Sequence, residues 1–137
     1  MKSRMLVTLI AIASAASASA GTDNVMATKR DNATNFKDRA LSFCVAKAYA
    51  GTSAEQDAEK TGAAYLDFTY YDLKADALVD ALIDKYLKRD YSTPMEGFVD
   101  VKFSMLKCMD MYHSRELADL VKKYVAHPNW IGDKPAK

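Results

Sequence analysis

Two cysteines and two histidines are the side chains of this 137-residue sequence whose types suggest covalent or metal chemistry. Cys108 lies inside SMLKCMDMYHSRE, residues 104–116, with His113 five positions on and Asp110 and Glu116 flanking that histidine. Cys44 lies in LSFCVAKAY, and His127 stands near the C-terminus. Three chemistries compete for these residues. Cys108 or Cys44 with a histidine could make a nucleophile and its base, but a working thiolate needs an accessible, electropositive setting. Two cysteines with two histidines could hold zinc, but no CxxC or HxxxH spacing brings the ligands together. The third chemistry is a crosslink. Cys108 falls on the stripe Phe98, Val101, Met105, Cys108, Tyr112, and Cys44 falls between Ala40, Leu41 and Ala48, so both sulfurs are expected to face a core. Asp110, His113 and Glu116 could form an acid–base group, although such a trio also suits a solvated helix junction.

The compartment favours the crosslink. Lys2 and Arg4 precede a short apolar stretch, MLVTLIAIASAA, and Ala18-Ser19-Ala20 matches the small-x-small cleavage rule. These features predict a secretory signal peptide over residues 1–20, too short to span a bilayer. Export leads to an oxidising compartment, where a cysteine pair becomes a disulfide. Cleavage would also remove two basic residues from a chain of 19 basic and 18 acidic ones, tipping the balance slightly acidic. That argues against a nucleic-acid partner. No polybasic amphipathic segment suggests a membrane partner after cleavage.

The elements that must position these residues are helical. Residues 21–33 are polar and small and read as a flexible lead-in, within which Asn32-Ala33-Thr34 fits a glycosylation acceptor pattern. The helical domain is expected over residues 34–127. Its first helix starts near Asn35 as cap and stops at Gly51. A second follows a capping box of Thr52 with Glu55, or Ser53 with Gln56, and runs into AAYLDFTYY, read as a helix end and turn. The third is ADALVDALIDKYLKR, with Leu78, Leu82 and Tyr86 on its inner face, Asp72 and Asp76 at its start and Lys85, Lys88 and Arg89 at its end. A fourth helix is expected to begin with Thr93 as cap, Pro94 at the first position and Glu96 closing a capping box, and to end near His113. Ser114 caps a fifth, whose apolar face is Leu117, Leu120, Val121, Tyr124 and Val125. Residues 128–137 form a tail with Trp130 as its anchor. The fold class is therefore all-α, one domain of about five helices with one disulfide, Cys44–Cys108.

Binding surfaces are then more promising than catalytic ones. There is no GxSxG elbow and no glycine-rich phosphate loop, and no cofactor is implied. Of the eight tyrosines, Tyr65, Tyr86, Tyr112 and Tyr124 fall on or beside apolar stripes, whereas Tyr70, Tyr71 and Tyr91 fall near helix ends and suit a protein-binding surface. The segment KRDYSTPMEG, residues 88–97, is the leading recognition loop, offering Lys88, Arg89, Asp90, Tyr91, Ser92, Thr93, Met95 and Glu96 between two firm helices. The same composition also suits a plain connection.

Four stretches in order, LSFCVAKAY, AAYLDFTYYDL, LIDKYLKRDYS and VKFSMLKCMDMYHSREL, resemble the amidase-immunity proteins of bacterial type VI secretion, specifically the immunity partners of the fourth amidase-effector family. The likeness spans roughly residues 35–125. It implies a periplasmic, helical, typically homodimeric protein that binds an incoming peptidoglycan amidase. That enzyme is a cysteine peptidase cutting the γ-D-glutamyl–diaminopimelate bond, and the immunity protein occludes its cleft, preventing self-intoxication. It further implies that residues 88–97 and the helix over 73–87 carry the inhibition, and that Cys44 and Cys108 are structural. The rival readings are a periplasmic binding or chaperone-like module with another client, a small Cys/His hydrolase, and a lipid or small-ligand carrier.

Overall fold

The computed structural model describes residues 25–91 and 100–132. Five α-helices order the described residues: α1 (Asn32–Ala48), α2 (Ser53–Ala64), α3 (Ala75–Leu87), α4 (Ser104–Tyr112) and α5 (Arg115–Tyr124). Short 3-10 turns at Met26–Lys29 and Tyr65–Phe68 precede α1 and follow α2. The described residues contain no strand, only isolated bridges joining Asp31 to Ile131 and Tyr71 to Val125.

Helix α1 is the axis against which the others pack. Phe36, Ala40 and Cys44 recur every four residues on its inner face and meet Ala75, Val79, Leu82, Ile83 and Tyr86 of α3, Cys108 and Met111 of α4, and Leu117 and Val121 of α5 in one core. Cys44 and Cys108 are joined through a 2.05 Å S–S bond with no exposed surface, and no free cysteine is present. The expected disulfide therefore holds, between the first and fourth helices as the stripes require. Its corollary removes the thiol enzyme: both sulfurs are consumed and buried.

Several local expectations hold. Gly51 takes φ +82 just past α1, a left-handed value that glycine adopts without penalty. Ser114 accepts the Leu117 amide at the start of α5, and α5 buries Leu117 and Val121 with Leu120 and Tyr124 half-covered beside them. At α2 the capping box is shifted by one: Glu55 reaches back to the Gly51 amide, 2.6 Å, while the Thr52 hydroxyl donates to Tyr49. Gly62 lets α2 lie against α1, since a Cβ there would stand 3.0 Å from the Phe43 ring.

Other expectations shift. Helix α1 begins at Asn32 rather than Asn35, with Asp31 as its cap accepting the Thr34 amide. Asn35 is instead a buried strut whose Nδ2 donates to Ala27 and Phe68 carbonyls. Of the lead-in, residues 26–29 form a 3-10 turn that buries Ala27. Asn32 is fully buried, which withdraws it from glycosylation in the folded chain. The inner face of α3 is Ala75, Val79, Leu82, Ile83 and Tyr86, so Leu78, expected inside, is exposed together with Ala77 and Ala81. The contact with α1 and α5 selects the face richer in branched side chains. Helix α4 starts at Ser104, ten residues later than expected. Phe103 sits at φ 50 and Asp100 at φ 65, left-handed conformations that cannot continue a right-handed helix upstream. Thr93, Pro94, Glu96 and Phe98, the expected helix start, lie outside the described residues. Val101 and Met105, expected on the core stripe, are exposed, and the buried face is Lys107, Cys108 and Met111.

Tyrosines tie the helices together through carboxylates. Tyr65 and Tyr112 both donate to Asp38 of α1, at 3.3 and 3.1 Å, and Tyr71 donates to Asp76 at 2.7 Å while its ring packs edge-on to Phe36. Tyr71 is thus part of the core margin, not of a binding surface. Burial, with the adjacent carboxylate, pushes all three phenols above their ordinary value of 10.0. A raised pKa contributes stability that is complete below the unfolded value and lost as pH rises past it. Stability will therefore fall above about pH 10, and Tyr71→Phe will blunt that loss. Denaturant unfolding at stepped alkaline pH, with phenolate absorbance on the same samples, checks it. An identical pH slope in Tyr71→Phe would refute the assignment.

Candidate functional site

Residue by residue, the recognition segment divides at the limit of the described chain. Lys88, Arg89, Asp90 and Tyr91 are described; Ser92, Thr93, Met95 and Glu96 are not. Lys88 and Asp90 are exposed, Arg89 and Tyr91 half-buried. The Arg89 guanidinium lies 3.5 Å from the centroid of the Tyr86 ring, a cation–π stack that holds it against the end of α3. Tyr86 in turn donates to Glu116 of α5, which also pairs with Lys85. The Lys85 ammonium and the Tyr86 hydroxyl hold the Glu116 carboxyl below the usual carboxylate range.

Of these residues, Asp90 and Tyr91 border a groove of about 440 Å³. One wall is the exit of α3, with Leu87, Asp90 and Tyr91. The opposite wall is Asp100, Val101 and Lys102 leading into Ser104 and Lys107 of α4, and Lys47 and Ala48 of α1 close one end. The chain therefore brings both sides of the 88–103 connection together over the C-terminus of α1. The disulfide lies directly below, since Cys44 and Cys108 are one turn from Lys47 and Ser104. Lys47 is itself held by Asp80 and Asp84 at 2.9 and 2.7 Å, which raises its pKa. Charge of both signs around a firm frame, with an exposed aliphatic edge at Val101, Met105, Leu106 and Met109, suits contact with a folded protein better than capture of a small molecule.

The supposed catalytic groups are dispersed. Asp110 accepts from Tyr91, Glu116 is engaged by Lys85 and Tyr86, and His113 stacks edge-on to Tyr112 at 5.0 Å. Among the described residues no group of three or more His, Cys, Asp or Glu is placed to hold a metal. Met111 fills the core, while Met105 and Met109 are exposed, so these three methionines do not together line an internal cavity.

Two contributors to the site gave little sequence signal. Lys107 is buried beneath Tyr91, a position that helical spacing alone assigns to the stripe beside Cys108. The aliphatic edge of α4 reads, by periodicity, as core.

Three comparisons bear on this arrangement. The sequence matches the Tai4 family, described as type VI secretion system (T6SS) amidase immunity protein, over residues 34–121. A chain from the effector–immunity system Tae4/Tai4 of Salmonella typhimurium is similar in structure, with a TM-score of 0.65 at 29% identity, covering 74% of this chain and 96% of that one. A chain from work on new type VI-secreted toxins and self-resistance proteins of Serratia marcescens has a TM-score of 0.70 at 24% identity, covering 85% and 94%; at that identity it attests the fold. No curated protein matches.

Proposed function

Because this chain belongs to the type VI secretion system amidase immunity family, we propose that it neutralises its cognate amidase effector by seating residues 88–91 and the groove beside them over the enzyme's cleft. The observation carrying this reading is that exposed Asp90, with Tyr91 beside it, lines a groove whose walls are fixed by α3, α4 and the disulfide-anchored end of α1. Inhibition by occlusion needs no chemistry from the inhibitor. It needs a surface already in its bound shape, so that little ordering entropy is lost on association. The protein acts as a binder and not as an enzyme. Its target class is the cysteine peptidase that cuts the γ-D-glutamyl–diaminopimelate bond.

The same proposal places the protein in the periplasm after removal of residues 1–20, and as a homodimer. The exposed Met105, Leu106 and Met109, which do not line that groove, offer an apolar face for self-association. Light scattering of the mature chain should return twice the monomer mass, and N-terminal sequencing of exported protein should begin at Gly21.

The decisive experiment is inhibition. Oxidised residues 21–137, added to the amidase encoded beside this gene on diaminopimelate-type peptidoglycan, should abolish cleavage at one chain per enzyme. Undiminished cleavage with folded, oxidised protein would reject the pairing. Within the surface, Asp90→Ala and Tyr91→Ala should each weaken amidase binding by roughly tenfold or more, as truncations of central contacts do, with Tm nearly unchanged. Unaltered affinity in both would remove residues 88–91 from the interface.

A further inference from the structure

Tyr91 is held by two side chains of α4 that are themselves peculiarly placed. Its hydroxyl donates to Asp110 at 2.5 Å, and the Lys107 ammonium lies 5.6 Å from its ring centroid. Lys107 is only 8% exposed, and its Nζ donates to the Leu87 carbonyl, the last residue of α3, at 3.3 Å. A buried lysine carries a desolvation cost that an aliphatic side chain at the same site avoids. Here the cation meets the carbonyl end of α3, where the helix dipole favours it. Positions 107 and 110 are three apart and so share one side of α4. One reaches the backbone where α3 ends; the other takes the tip of the first tyrosine beyond it. Together they fix the direction in which the chain leaves α3.

We propose that Lys107 and Asp110 are positioning residues of the inhibitory surface: they latch Tyr91 onto α4 and thereby present Asp90 at the groove lip in its amidase-bound arrangement. The inference rests on the reading that residues 88–91 contact the amidase. The latch acts through the free protein's conformation. Without it, Tyr91 and the chain end of α3 sample orientations that must be lost again on binding, and affinity falls by that fraction.

A double-mutant cycle on the full mature, oxidised chain tests it, with amidase affinity read by calorimetry and stability by thermal melting. Tyr91→Phe and Asp110→Ala delete the two ends of one hydrogen bond, and Tyr91→Phe also frees the Arg89 side chain that meets the same hydroxyl. Each should weaken binding by about tenfold, and the double variant by no more than Tyr91→Phe alone, because the same interaction is removed once. Tm should stay within about 3 °C in all three, since the groups lie near the surface. Lys107→Met should weaken binding likewise and Lys107→Arg should restore most of it, a rescue that mere volume filling would not produce. Effects of Tyr91→Phe and Asp110→Ala that multiply would mean two independent contacts with the amidase and would overturn the latch. So would no effect from either while Asp90→Ala still weakens binding, an outcome that leaves the surface reading intact. If Asp90→Ala is also silent, the surface reading fails and the latch falls with it.

Discussion

Converting Cys44 and Cys108 together to alanine will lower the melting midpoint by about 15 °C or more. The bond closes a loop across a sequence separation of 64, for which the chain-entropy account gives about 4 kcal/mol of stabilisation. In a domain of this size one kcal/mol corresponds to roughly 4–8 °C. The location adds to the effect. Both sulfurs are fully buried between α1 and α4, and α4 is a nine-residue helix, too short to persist alone. Losing the bond frees α4 and, with it, the wall of the groove that Ser104 and Lys107 supply. The alanine pair is preferable to serine, which would bury two hydroxyls without partners and exaggerate the loss. Melting curves by circular dichroism, for the variant and for the natural chain with and without reductant, measure it. A shift below about 5 °C would show that helix packing alone holds α4 in place.

The second large effect is expected from Asn32→Ala, at about 3 kcal/mol or more of stability. Asn32 has no exposed surface and joins three distant parts of the chain. Its Nδ2 donates to the carbonyls of Tyr70 and Ala126, at 2.8 and 2.5 Å, and its Oδ1 accepts the Tyr70 amide at 2.8 Å. Its own amide donates to the Trp130 carbonyl, and the next amide, that of Ala33, to Pro128. One side chain therefore satisfies both the segment after α2 and the segment after α5. Removing it leaves a part-buried N–H and two part-buried carbonyls without partners, each costing about 1 kcal/mol or more. Asn32→Asp is the sharper variant: it keeps the acceptor and deletes both donations, and should be at least as damaging. Urea unfolding monitored by Trp130 fluorescence provides the measurement. A loss below about 1 kcal/mol would mean that water replaces the side chain at this junction.

The contrast between these two sites shows what can be read from a linear chain. Cys44 and Cys108 were recognisable as partners because each is local in its signal: a cysteine on an apolar helical stripe, in a chain bearing an export signal. Ser114, Gly51 and the apolar face of α5 were equally local, and the all-α class followed from them. The resemblance of four stretches, 41–49, 63–73, 82–92 and 101–117, pointed to the amidase-immunity family to which the chain belongs. Asn32 gave no such signal. Its type and spacing suited a glycosylation acceptor or a helix cap, and its partners lie 38 and 94 residues away.

The same division explains the shifted faces. Helical periodicity allowed Leu78 or Val79 to point inward, and the choice fell to whatever α1 and α5 place opposite. The apolar run at 101–109 looked like core, yet its upstream half is exposed, because left-handed residues at Asp100 and Phe103 stop the helix short and the disulfide sets its rotation. Composition, periodicity and end signals by themselves determined the helical class, the crosslink and the end of α3 at residues 87–88, since those depend on neighbours within a turn or two. The tertiary structure alone decided which faces are buried, how the tail seals the start of α1, and that Lys107 and Asp110 gather around Tyr91. Each of these depends on the relative rotation of packed helices, which is set by side chains far apart in sequence.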